Sequence, residues 1–102
     1  GKTEKNILID FIYERLKIIN GARGCLTAQF FKHKESEKII GIEINPRFGG
    51  GYPLSYKAGA NYPKWIIEEY LLDKTIEPYD AWKDNLLMLR YDKEVFVENS
   101  DA

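Results

Sequence analysis

The 102-residue sequence holds one cysteine, so it cannot close an internal disulfide or build a cysteine-based zinc site, and a reducing cytoplasm is the expected compartment. It has no excess of either charge: fifteen basic residues stand against sixteen acidic ones, a formal charge of −1. That balance argues against a general nucleic-acid or anionic-membrane binder. No run approaches the roughly 18 apolar residues of a membrane span, and no apolar region near the start reads as a signal peptide. No glycine-rich phosphate loop ending in Lys-Ser or Lys-Thr occurs, and neither an internal repeat nor a low-complexity tract is visible. The first residue is Gly1 rather than methionine. That points to an engineered start or an internal cut, so the chain is expected to be a piece of a longer protein.

What is present suffices for one folded domain, because 44% of the residues are hydrophobic and 14% aromatic. Ile7, Leu8, Phe11, Ile12, Leu16 and Ile19 recur at helical spacing and predict a helix from about Thr3 to Ile19. Thr3 is its expected N-cap, and Asn20-Gly21 its stop. Arg23 is read as a solvated loop charge, and Cys25 as a small core or boundary residue.

Residues Cys25 to His33 and Ile39 to Asn45 read as two strands of a hairpin, with Lys34-Glu35-Ser36-Glu37-Lys38 as its turn and His33 at the turn's edge. A turn centred on Ser36 sets Thr27 opposite Asn45, Gln29 opposite Glu43 and Phe31 opposite Gly41. Leu26, Ala28, Phe30, Ile40, Ile42 and Ile44 then face a core, and Thr27, Gln29, Glu43 and Asn45 gather on the other face. Opposed side chains have Cβ atoms about 4.5–5.5 Å apart, so Gln29 and Glu43 are placed to share one bound ion. An ordinary solvent-facing strand surface is the competing explanation.

The stretch from Gly41 to Gly51, Gly-Ile-Glu-Ile-Asn-Pro-Arg-Phe-Gly-Gly-Gly, carries the chemistry. Glu43 and Asn45 project from one strand face about 6–7 Å apart along the chain. Pro46 ends the strand, and Arg47 follows the turn. A carboxylate, an amide oxygen and a guanidinium beside open glycine amides suit a hard cation and the phosphate oxygens around it. Tyr52 to Ala58 predicts a short helix with Pro53 in its first turn and Gly59 at its end, whose N-terminus would add to the anion attraction. Asn61 caps a further helix from Pro63 to Leu72, with Glu68 and Glu69 as surface charges. Asp73 to Asp84 reads as irregular, two strands are expected at Asn85–Tyr91 and Glu94–Glu98, and the tail from Asn99 to Ala102 as frayed.

Glu43-Ile44-Asn45-Pro46-Arg47, then Phe48-Gly49-Gly50-Gly51 and Ala58-Gly59-Ala60-Asn61, resembles the C-terminal part of an ATP-grasp domain. Within that superfamily it is most similar to the carbamoyl-phosphate synthase large-subunit group, and the resemblance covers roughly Ile7 to Tyr70. It implies an ATP-dependent ligase that activates a small-molecule carboxylate as an acyl phosphate, which an amine or other nucleophile attacks while ADP and phosphate leave. It also implies Gln29 as a ligand of one magnesium ion, Glu43 as the carboxylate bridging two, and Asn45 as a ligand of the second, with manganese able to substitute. Arg47 would contact the transferring phosphate. The amides of Gly49, Gly50 and Gly51 would hold the acceptor carboxylate or the acyl phosphate, a role that extends the resemblance.

The phosphate-gripping lysines and adenine contacts of such enzymes lie upstream, in a lobe this sequence does not carry. The chain is therefore expected to be inactive alone, and to work with the remainder of the enzyme, with a complementing chain or as a homo-oligomer. The expected fold is α+β, an antiparallel β-sheet with helices packed on one face. The alternative from another class is a non-catalytic small-ligand binding or interaction module derived from an ATP-grasp domain.

Overall fold

The computed structural model describes residues 1–98. Its two strands, β1 (Thr27–Lys32) and β2 (Ile39–Asn45), form an antiparallel hairpin. Three helices accompany them, α1 (Leu8–Leu16), α2 (Tyr52–Ala58) and α3 (Tyr62–Tyr70), so the expected α+β class holds.

The hairpin's register changes along its length. Near the strand ends Thr27 pairs with Asn45, Ala28 with Ile44 and Gln29 with Glu43, as the sequence predicts. Beyond a bulge that leaves Ile42 without a partner, Phe30 pairs with Gly41, Phe31 with Ile40 and Lys32 with Ile39. The turn is the cause. His33 donates its N–H to the Lys38 carbonyl at 2.8 Å, and its Nδ1 accepts from the N–H groups of Glu35 and Ser36 at 3.3 and 3.1 Å. Four residues, Lys34 to Glu37, therefore close the loop, with Glu37 at φ 55°, and the turn is not centred on Ser36. A one-residue extra on β2 restores the other register before Glu43. Cross-strand partners share a face, so Ile40 lies on the side of Phe31 rather than in the expected core row.

The helices correct the sequence reading at one end and support it at the other. α1 begins five residues after Thr3, which caps nothing. The Thr3 hydroxyl instead donates to the Lys83 carbonyl at 2.7 Å and accepts from the Leu86 N–H at 2.8 Å. Asn6 takes over the local role, its side-chain oxygen accepting from the Leu8 N–H at 2.9 Å. The helix also stops short, at Leu16, leaving Ile18 and Ile19 exposed in the turn that follows. α2 has the predicted span, with proline in its first turn and Gly59 at φ 116° closing it. A side chain at Gly59 would meet a strained backbone and, at 2.6 Å, the Tyr79 hydroxyl. Asn61 caps α3 as predicted, its side chain accepting from the Lys64 N–H at 3.2 Å, although the helix ends at Tyr70.

The two late strands do not form among the described residues. Residues 85–88 instead pair with the first three residues: Thr3 donates to Leu86, Met88 to Gly1 and Asn85 to Thr3, all through the backbone at 2.8–2.9 Å. Lys5 strengthens the tie, donating from its backbone to Asp84 and from Nζ to the Asp80 carbonyl while lying over the Trp82 ring. Past Met88 no neighbouring edge is offered among the described residues, and an isolated pair of strands is marginal in water. The expected tail at Asn99–Ala102 lies outside the described residues.

The expected core is thin. Ala58 and Ala60 are the buried hydrophobic residues among those described. Ile42 is 49% exposed, and Ile40 and Ile44 are comparably open, so the row meant for a core is half covered. The radius of gyration, 17.4 Å, exceeds the roughly 13 Å of a compact domain this long. What packing exists is aromatic. Phe11 of α1 meets Phe30 of β1 edge-on at 6.1 Å. A ladder runs from Phe48 through Tyr52, Tyr62 and Trp65 to Tyr79, with successive centroids 4.7–5.5 Å apart. It fixes the loop after β2 to α2, α3 and the segment beyond.

Candidate functional site

The hairpin places three of the predicted residues together. Gln29 and Glu43 are direct cross-strand partners, and Thr27 and Asn45 form the next pair on that face toward the strand ends. The bulge lies immediately beyond Gln29 and Glu43, so the register change spares this patch. Glu43 is exposed and pairs with no lysine or arginine among the described residues, whose ion pairs all involve other acids. A carboxylate beside an amide oxygen presents the oxygen donors that hard cations take.

Asn45 is half-buried, and its amide nitrogen is enclosed without an acceptor. Enclosed donors normally find partners.

Arg47 follows at a tight turn in which its own N–H donates to the Asn45 carbonyl at 2.9 Å. Thr27 fastens that turn to β1, its hydroxyl donating to the Arg47 carbonyl at 2.7 Å. The guanidinium is exposed and donates through Nη1 to the Phe48 carbonyl at 3.1 Å, which leaves its remaining donors outward. Sequence reasoning put Thr27 in the polar cluster without assigning it this clamping role. The signal available was its register opposite Asn45.

The glycines differ from one another. A Cβ on Gly49 would lie 3.1 Å from Cγ2 and 3.2 Å from Oγ1 of Thr27, so this position admits the close approach because it lacks a side chain. Gly51 has nothing within 4 Å of the same point. None of the three glycine N–H groups donates to a protein acceptor among the described residues. Gly49 and Gly51 border a cleft of about 300 Å³, which Thr27, Phe48, Tyr52 and Ser55 also line. Gln29, Glu43, Asn45 and Arg47 stand outside that cleft, Gln29, Glu43 and Arg47 on open surface and Asn45 half-buried.

Arg90 was not singled out in the sequence, and it reaches this loop, donating through Nη1 to the Gly50 carbonyl at 3.1 Å. No spacing rule joins positions forty residues apart. Arg23 and Glu69 are solvent-accessible, as read, and Arg23 also stacks on Tyr70 at 4.5 Å and approaches Glu69 at 4.0 Å. Glu68 similarly meets Lys64, 3.9 Å away.

The donor set matches magnesium-nucleotide chemistry better than an all-protein metal cage. Magnesium commonly takes one or two protein carboxylates and keeps oxygens from water and phosphates. Among the described residues no cluster of three or more His, Cys, Asp or Glu side chains assembles. No helix among the described residues is long and apolar enough to cross a membrane.

Comparison with known proteins gives one family. A family model described as "ATP-grasp in the biosynthetic pathway with Ter operon" matches residues 5–92. No curated protein and no solved structure matches the chain.

Proposed function

Because this chain belongs to the ATP-grasp family found in the biosynthetic pathway with Ter operon, we propose that it forms the magnesium- and acceptor-binding half of an ATP-dependent carboxylate ligase. The proposed chemistry is carbamoyl-phosphate synthase-like: the carboxylate of a small molecule attacks the γ-phosphorus of ATP, ADP leaves, and a nitrogen or other nucleophile then displaces phosphate from the acyl phosphate. The observation that carries this reading is the register, which brings Gln29 and Glu43 face to face and keeps Asn45 beside them despite the bulge.

In this scheme the Glu43 carboxylate and the amide oxygens of Gln29 and Asn45 would hold the metal, as the resemblance implies. Magnesium, or manganese in its place, supplies neutralisation of the phosphate oxygens. Arg47 holds a phosphate oxygen through its outward donors and so favours the charge distribution of transfer over that of the ground state. The Gly49–Gly51 amides hold the acceptor carboxylate. The half-covered isoleucines of β2 and the open segment after Met88 are apolar surface suited to burial against a nucleotide-binding lobe or a complementing chain.

Calorimetry with ATP and magnesium tests the reading, on this chain alone and on the chain joined to the upstream segment of its parent. The expected result is binding only in the joined protein, with turnover there reduced about 10²–10³-fold by Arg47→Ala. Binding with no turnover, and no metal dependence on Glu43, would favour the non-catalytic binding module.

A further inference from the structure

Two guanidinium groups from distant parts of the chain are fastened to one short loop. Arg47 donates to the Phe48 carbonyl and Arg90 to the Gly50 carbonyl, each through Nη1 at 3.1 Å. A guanidinium has five donors, so each anchored group keeps others for a second acceptor. Neither lies within ion-pair distance of a carboxylate among the described residues. Between the two anchoring carbonyls run the N–H groups of Gly49 and Gly50, and that of Gly51 follows, none with a protein acceptor among the described residues. Two cations left unneutralised and tethered to carbonyls of one short loop, each with donors to spare, make an anion site that the loop positions before the anion arrives.

We propose that Arg90 is a substrate-binding residue, acting with Arg47 to hold the anionic end of the substrate over the glycine loop, first as a carboxylate and then as the acyl phosphate. This rests on the ligase reading given above. Arginine suits the position better than lysine, because its planar fork can keep the Gly50 carbonyl on one donor while offering two parallel donors to an oxyanion. The arrangement also couples the segment after Asn85 to the loop, so an anion on the glycines draws on a residue from each.

The test is a titration of this chain with inorganic phosphate, following the amide resonances of Gly49, Gly50 and Gly51. The proteins compared are the wild type, Arg90→Ala, Arg90→Lys, Arg47→Ala and, as an exposed cation of the same segment, Lys93→Ala. Phosphate is expected to move the three glycine resonances saturably. Arg90→Ala should weaken that binding by about tenfold, the scale of one charge-assisted hydrogen bond. Arg90→Lys should weaken it several-fold, because charge is kept and the fork lost, and Lys93→Ala should leave it unchanged.

If Arg47→Ala weakens phosphate binding while both Arg90 variants bind as the wild type does, Arg90 is only a tether of the loop. The inference then falls while the anion site of the ligase reading stands. If the wild type shows no saturable movement across the millimolar range, the anion site and the inference fall together. Should Arg90→Ala also disturb the α2 and α3 resonances, Arg90→Lys decides: weaker binding with those helices intact supports the inference, and wild-type binding overturns it.

Discussion

The hydroxyl of Thr27 donates to the carbonyl of Arg47 at 2.7 Å, joining the first strand to the turn that follows the second. Thr27 is also the cross-strand partner of Asn45, so one residue ties together that strand end and the arginine beyond it. Thr27→Val keeps the shape and removes the bond. It should cost about 1 kcal/mol in urea unfolding, and broaden or shift the amide resonances from Arg47 to Gly49. A variant with wild-type stability and unmoved resonances would show that the turn holds itself.

Gly49 and Gly51 should respond oppositely to a methyl group. Gly49→Ala drives a Cβ to 3.1 Å from Thr27 and must displace either the loop or the threonine, whereas Gly51→Ala enters open space. The expected cost of Gly49→Ala is about 1–3 kcal/mol, and Gly51→Ala should stay within about 0.5 kcal/mol. A double-mutant cycle with Thr27→Ala should recover part of the Gly49→Ala loss. Additive costs would mean that the contact is not the source.

Burial pushes the Cys25 thiol above its ordinary value. Tyr62 is raised as well, first by burial and then by the neighbouring Cys25 and Tyr52 charges. Both groups are held neutral, so the folded chain keeps protons that the unfolded chain releases. The resulting stability is complete below the ordinary thiol value and is lost as pH rises through the raised ones, from roughly pH 8.5 upward. Urea unfolding should therefore show stability falling across that alkaline range, with Cys25→Ser removing the earliest part of the fall. A flat profile would contradict the assignment.

The local parts of the fold were legible in the sequence, and the long-range parts were not. Gly59, Asn61, Pro53 and Pro63 mark the helix ends through the backbone conformations and donors they permit or lack, and the structure places α2 and the cap of α3 accordingly. Centring the turn on Ser36 set Gln29 opposite Glu43 and Thr27 opposite Asn45, and these pairs form because the bulge offsets a turn centred elsewhere. That centring missed the bulge, because His33 accepts two backbone N–H groups and so shortens the turn, an effect that turn composition alone does not reveal. Thr3 looked like a helix cap because its hydroxyl suits one, yet Lys83 and Leu86 engage it from the far end of the chain. Arg90 was out of reach for the same reason. Apolar spacing likewise promised a buried core, but spacing tells which face is apolar and not whether anything covers it.

The proposed cation-binding face of Gln29, Glu43 and Asn45 is tested most directly by paramagnetic broadening with Mn²⁺, which senses even sparsely occupied sites. In the isotopically labelled chain, titrated with manganese and then with manganese and ATP, the side-chain amides of Gln29 and Asn45 and the backbone amide of Glu43 should broaden before any other acidic region. Glu43→Gln should abolish that preference. Broadening that begins instead at the exposed acids of α1 or the hairpin turn, or that survives unchanged in Glu43→Gln, would contradict it.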